Sequence, residues 1–167
     1  MSSLKKGCVQ IYTGDGKGKT TAALGLAMRA HGYGLDVLML QFAKNLACAE
    51  HIAARELGIP IVQADAETPR DCAEEIMRRA HDALQGGKGH DAVDVLILDE
   101  VGEAMRRGFV SRADIEALIG ERPVTTELVM TGRDLMGLVD LADLVTEMRN
   151  VKHYYDAGLL ARRGIEY

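Results

Sequence analysis

The sequence predicts an α/β fold, a parallel sheet flanked by helices on both faces, in a single domain over residues 1–167. Three observations predict it. Short apolar runs alternate with segments of helical period. A glycine-rich turn from Thr13 to Thr21 joins the first apolar run to the first helical segment. The apolar run Val95-Leu96-Ile97-Leu98 ends in Asp99-Glu100, as a strand covered on both faces does.

Each element has its own signals. Val9 to Tyr12 reads as the first strand, and a helix from about Lys19 stops near Gly32 or Gly34. Val37 to Phe42 is apolar enough to be a buried second strand. Asn45 is placed to cap a helix ending at Leu57, with Gly58 as its left-handed last residue and Pro60 just beyond. Ile61 to Gln63 makes a short third strand. The third helix has Thr68 as N-cap, Pro69 at its first position and Asp71 in its first turn. Cys72, Ile76, Ala80 and Leu84 recur at i+4 and, with Ala73 and Met77, form one buried stripe. Glu74 with Arg78 and Glu75 with Arg79 are expected to pair on its solvent side. Gly86 to His90 looks like a second phosphate loop, but no Lys-Thr and no helix follow, so it reads as a loop. Ser111 opens a further helix in capping-box style, ending at Gly120. Glu127 to Thr131 is a strand running into Thr131-Gly132-Arg133. Leu135, Leu138, Val139 and Ala142 mark a short helix, and Leu144 to Met148 is the last strand. Ligands of such sheets bind beyond the carboxyl ends of the strands. Gly14 to Thr20, Gln41, Asp99, Glu100 and Arg133 all fall there.

The stretch Tyr12-Thr13-Gly14-Asp15-Gly16-Lys17-Gly18-Lys19-Thr20-Thr21 has the context of a phosphate-binding P-loop. Gly14, Gly16 and Gly18 let the backbone curl and turn its N–H groups inward. The following helix adds free N–H groups and its positive dipole end. Lys19, expected exposed in the loop, places a charge against phosphate oxygens, and the Thr20 hydroxyl suits Mg²⁺. The pattern asks for Gly five residues before Gly18, where this chain has Thr13, so the first turn is not the usual one. The competing reading is a glycine-rich βα turn with a surface lysine. A second motif opposes it: the run ending in Asp99-Glu100 has the Walker B form. Asp99 would hold Mg²⁺ directly or through water, and Glu100 would orient water or hold metal or substrate. Together the motifs predict a nucleotide site on a P-loop NTPase-like, RecA-like sheet.

Composition narrows the function classes. A chain of 167 residues that is 47% hydrophobic and 27% charged can bury a real core. A formal net charge of −5 argues against a general nucleic-acid surface, and 4% aromatics with no Trp leave few stacking platforms. Cys8, Cys48 and Cys72 fit neither a disulfide framework nor a zinc pattern, so reduced thiols are expected. With no signal peptide visible in the polar stretch from Met1 to Gly7, the expected location is cytoplasmic. No apolar run reaches the roughly 18 residues of a membrane span.

The P-loop run continuing through Ala22-Ala23, then Arg29-Ala30, Gln41-Phe42 and Leu98-Asp99-Glu100, resembles the P-loop ATP:corrinoid adenosyltransferases. The C-terminal runs are more specific: Arg122-Pro123, Thr131-Gly132-Arg133, Leu141 to Met148, Val151 to Gly158, and Arg163 to Tyr167 match the family's ending in order and spacing. The similarity covers roughly residues 8–43 and 93–167. It implies transfer of the 5′-deoxyadenosyl group of ATP to the reduced +1 cobalt of a corrinoid, in cobalamin biosynthesis or salvage, with tripolyphosphate leaving. It also implies ATP as co-substrate, Mg²⁺ or Mn²⁺ as metal, a homodimer, and neither nucleic acid nor membrane as partner. By resemblance, Gly14, Asp15, Gly16, Lys17, Gly18, Lys19, Thr20, Thr21, Arg29 and Arg133 bind the nucleotide, Lys19, Arg133 and Glu100 serve catalysis, and Thr20 and Asp99 hold the metal.

Two stretches depart from the family. Few residues precede the first strand, where the family commonly has a helical extension over the corrinoid, and residues 43–93 are short and contain no Trp, Phe or Tyr. A partner subunit would supply the missing cover. Two other functions compete: a P-loop ATPase or kinase that uses Glu100 to activate water or substrate, and a nucleotide-sensing binding protein without corrinoid chemistry. His153 reads as a structural hydrogen-bonder before a cobalt ligand, and Asp143 and Asp156 as turn residues before nucleotide binders.

Overall fold

The computed structural model describes residues 4–42, 49–86 and 92–166. The expected cap at Asn45, the thiol of Cys48 and the loop residues 87–90 lie outside the described residues. The elements are β1 (Val9–Thr13), α1 (Lys19–Gly32), β2 (Val37–Gln41), α2 (Ala49–Leu57), β3 (Ile61–Gln63), α3 (Pro69–Gln85), β4 (Val95–Asp99), α4 (Val101–Arg106), α5 (Arg112–Glu121), β5 (Glu127–Thr131) and β6 (Leu144–Glu147). Turns of 3-10 helix span Leu135–Leu141 and Tyr154–Ala157.

The strands pair in parallel in one six-stranded sheet, ordered β3-β2-β4-β5-β1-β6. Side chains alternate across a strand, and the inner strands β2, β4 and β5 are covered on both faces, while the edge strand β6 is largely exposed. Val95 and Ile97 of β4 join Val37, Met39 and Val129 under α1 and α2. Leu96 and Leu98 join Ile11, Leu40, Leu128 and Met130 under α3, α4 and α5. That double covering is why β4 reads as an unbroken apolar run. The α1 face is lined by small side chains, Ala23, Ala27 and Ala30, all buried, so the helix after the glycine loop can lie close to the sheet.

Helix α3 begins where its signals place it: the Thr68 hydroxyl accepts from Asp71 N at 3.2 Å, with Pro69 at the start. Cys72, Ala73, Ile76, Ala80 and Leu84 are its buried face. Of its two expected ion pairs, Glu75 with Arg79 forms and Glu74 with Arg78 does not. Arg78 pairs with Glu75 at 2.8 Å and Asp82 at 2.7 Å, and Arg79 with Glu75 at 2.7 Å; Arg78 bonds Glu75, one turn back, in place of Glu74. Glu75 therefore serves two guanidiniums, which hold its carboxyl at about 2. The capping box of α5 forms, with Ser111 Oγ accepting from Asp114 N and Asp114 accepting from Ser111 N, and the helix ends at Glu121. The segment after β5 is a 3-10 helix. Helix α4 has no side-chain N-cap and only 6 residues, so no sequence signal announces it. It is held by close backbone contact: a Cβ on Gly102 would lie 2.3 Å from Arg133 O and 3.0 Å from Gly132 Cα.

Candidate functional site

Strand β1 ends in the glycine loop, and the loop runs into α1 with Gly18 as a left-handed N-cap at φ 116°. The unusual first turn is carried by Gly14, at φ 92°. Thr13, at the position where the pattern has glycine, is fully buried, and its hydroxyl accepts from Leu135 N at 3.1 Å. Gly14 and Gly16 have a second reason to be glycine. Met148, just past β6, donates its N–H to Thr13 O at 2.8 Å and accepts from Gly16 N at 2.7 Å. A Cβ on Gly14 or Gly16 would meet Met148 O at 2.4 or 2.6 Å. The loop is clamped from outside by the chain leaving the edge strand.

Lys19 is not exposed as expected: it is 8% exposed, and its ammonium donates to Gly14 O at 2.7 Å and Gly16 O at 2.8 Å. The side chain folds back under the loop, because the glycine carbonyls there need donors. Burial pushes the Lys19 ammonium pKa down; Glu100, Asp15 and Asp99 oppose that shift and Arg133 adds to it.

Asp99 ends β4 and is fully buried. Strand β5 lies between β4 and β1, yet the Asp99 carboxylate reaches the loop. Its Oδ1 accepts from Thr20 Oγ1 at 2.9 Å and from Thr131 Oγ1 at 2.7 Å, and its Oδ2 from Gln41 Nε2 at 3.1 Å. Thr131, at the end of the intervening strand, fills the gap and also accepts from Glu100 N at 3.0 Å. Glu100 takes the left-handed conformation, φ 61°, at the start of α4. Sequence reasoning did not single out Thr131 as a site residue; its signal was a hydroxyl at the C-terminal end of a strand beside the Walker B strand.

A cleft of about 690 Å³ opens above these residues. The loop from Asp15 to Thr21 and Leu24 form its floor, with Ala49, Glu50, Glu100 and Arg133 also lining it. Its far wall is the C-terminal segment: Asn150, His153, Tyr155, Asp156 and Gly164 to Glu166. That segment is tied to the loop. Asn150 Nδ2 donates to Asp15 O at 3.2 Å, and Lys17 Nζ donates to Ile165 O at 3.1 Å and Glu166 Oε1 at 2.9 Å. Glu166 also accepts from the Tyr154 hydroxyl and from Arg162 N at 2.7 Å, while Arg162 lies 4.9 Å over the Tyr154 ring. Sequence reasoning missed Glu166 and Tyr154 because their partners lie 149 and 12 residues away.

The remaining expected residues divide. Arg133 faces the cleft, two-thirds exposed, 3.9 Å from Asp15. Lys17 lines it with its ammonium on Glu166. Arg29 stands apart: it is exposed on α1, ten residues past Lys19, about 15 Å along the helix at 1.5 Å per residue, and does not line the cleft. Its charge is felt at Tyr12, whose hydroxyl pKa burial and Glu127 raise and Arg29 lowers. His153 lines the cleft while its Nδ1 accepts from Tyr155 N at 3.1 Å. Asp143 accepts from Val9 N at 2.8 Å and pins the edge strand. Among the described residues no helix is long and apolar enough to cross a membrane.

A family model described as ATP:corrinoid adenosyltransferase BtuR/CobO/CobP matches residues 5–167. A corrinoid adenosyltransferase of Pseudomonas aeruginosa is 31% identical over 176 residues, spanning 98% of this chain and 85% of that protein. One from Escherichia coli strain K12 is 31% identical over 174 residues, spanning 98% and 87%. The corrinoid adenosyltransferase CobA of Salmonella typhimurium is 34% identical over 170 residues, again spanning 98% and 87%.

Proposed function

The chain belongs to the ATP:corrinoid adenosyltransferase family, and from that premise we propose how its own residues carry the reaction. The enzyme transfers the 5′-deoxyadenosyl group of ATP to the reduced cobalt of a corrinoid. The cobalt electron pair forms the cobalt–carbon bond, the C5′–O bond breaks, and its electron pair leaves on the triphosphate, so tripolyphosphate is the product. The nucleophile arrives with the substrate, so no protein base is needed. The protein's task is to hold the 5′ carbon in line, exclude water and stabilise charge on the leaving group.

The observation that carries this reading is the 2.9 Å contact of Thr20 with Asp99 beneath the glycine loop. The loop N–H groups from Gly14 to Thr21 cradle the triphosphate, apart from that of Gly16, which Met148 O holds. Lys19 exchanges its two loop carbonyls for phosphate oxygens, and Arg133, exposed at the rim beside Asp15, closes on the leaving group. Thr20 and Asp99 are hard oxygen donors that suit Mg²⁺ or Mn²⁺. Among the described residues no group of three or more His, Cys, Asp or Glu offers another metal site. The ion would supply positive charge to the triphosphate. The charge of the cleft supports this reading, since Asp15, Glu50, Glu100, Asp156 and Glu166 outnumber Lys17, Lys19 and Arg133. Homodimerisation belongs to the same proposal: a partner subunit covers the corrinoid where residues 43–93 bring no aromatic side chain.

Phosphorus NMR of protein, Mg²⁺, ATP and cob(I)alamin tests the reading. Tripolyphosphate should be the main phosphorus product, together with a light-sensitive corrinoid. ADP formed without corrinoid would overturn it and make Glu100 the water-activating residue of an ATPase.

A further inference from the structure

Gln41 closes β2 and is 1% exposed. Its amide joins three elements. Nε2 donates to Asp99 Oδ2 at 3.1 Å. Oε1 accepts from Gln63 Nε2 of β3 at 3.2 Å and lies 2.7 Å from His51 Nε2 of α2. A carboxylate oxygen only accepts, so Nε2 must face Asp99, and Oε1 is left to the two nitrogens. An amide turned end for end would set oxygen against the Asp99 carboxylate and nitrogen against the Gln63 amide nitrogen. Asp99 thus fixes which end Gln41 presents, and Gln63, with His51 as its Nε2–H tautomer, holds the other end.

The consequence is felt at the carboxylate. Asp99 Oδ1 is held on the loop side by Thr20 and Thr131, and Oδ2 on the opposite side by Gln41. With both oxygens anchored, the carboxylate cannot turn about its last bond. We propose that Gln41 is a positioning residue for divalent-metal binding at Asp99, its amide locked by His51 and Gln63. This rests on the reading that Asp99 holds the metal. It also ties that carboxylate to α2, whose first residues, Ala49 and Glu50, line the cleft.

A purely structural role predicts that losing the amide lowers stability and leaves metal affinity unchanged; positioning predicts the reverse emphasis. The test is electron paramagnetic resonance titration of the full chain with Mn²⁺ in the presence of ATP, without corrinoid. Outer-shell partners of metal ligands are typically worth about 10- to 100-fold in affinity. Gln41→Leu should weaken Mn²⁺ by about that factor, while ATP affinity in EDTA stays within about twofold. His51→Phe should weaken Mn²⁺ by about three- to tenfold, and His51→Gln, which keeps a donor, should recover most of that loss. Mn²⁺ affinity within about twofold of wild type in Gln41→Leu overturns the proposal; if that variant does not fold, the same result in His51→Phe does so. Asp99→Asn separates the two failures. If it keeps its Mn²⁺, the metal reading falls and the proposal with it; if it loses Mn²⁺ while Gln41→Leu does not, the proposal alone falls.

Discussion

Lys19 is held by the loop that it is proposed to serve. Its ammonium satisfies Gly14 O and Gly16 O, and in the proposed reaction the same charge turns to the phosphate oxygens. Lys19→Ala removes a charge-assisted interaction worth about 1.5–3 kcal/mol, so ATP affinity should fall about ten- to a hundredfold. Isothermal titration calorimetry reads this, and wild-type affinity would remove the lysine from phosphate binding. Because Lys19 is buried, the variant should also exchange the amides from Gly14 to Gly18 faster than wild type in the absence of nucleotide.

Two elements owe their position to contacts that cross long stretches of chain. The C-terminal segment is fastened to the loop through Glu166. Arg162 first, then the Tyr154 hydroxyl and Lys17, hold the Glu166 carboxyl well below the usual carboxylate range. The sign follows: a depressed carboxyl contributes stability above its ordinary 4.5, which is lost as pH falls below that value toward the folded one. Glu166→Gln should therefore raise amide exchange across residues 153–166 relative to wild type at pH 7, and the ratio should close as the pH drops below 4.5. A ratio that ignores pH would show that the charge does not fasten the segment. Helix α4 is fastened by the absence of a side chain. Gly102→Ala would drive a methyl into Arg133 O, costing roughly 1–3 kcal/mol and displacing Arg133 from the cleft. Urea denaturation measures the first effect, and a parallel loss of ATP affinity the second.

For the molecule as a whole, the decisive feature is a parallel sheet whose central strands are buried on both faces and whose carboxyl edge is left open. Leu96 and Ile97 are neighbours on β4, both fully buried, and point into opposite clusters. Truncating either to Ala should cost about 2–5 kcal/mol. Both variants should unfold in a single transition by circular dichroism, since the clusters share one sheet. A separate transition for either face would mean that the helices on it fold as an independent layer.

Much of this was legible in the chain itself. Period and run length mark the strands, the stripe of α3 and the cap of α5, because those are local regularities that each segment carries alone. Chemistry at fixed spacing marks the phosphate loop and the Asp99-Glu100 strand end, since a loop must curl and an apolar strand must stop before its carboxylates can meet a ligand. Sequence order along the C-terminal runs marks the family. Only the tertiary structure decided the rest. The burial of Lys19 depends on carbonyls that exist only once the loop is curled. The glycine requirement at Gly14 and Gly16 depends on Met148, which arrives from beyond the edge strand. The anchoring of Asp99 by Thr131 and Gln41 depends on a strand order in which β4 lies between β2 and β5. Helix α4 depends on Gly102 meeting Gly132 and Arg133. Each is a contact between distant residues whose partners are set by packing, and packing leaves no period or spacing in the sequence to read.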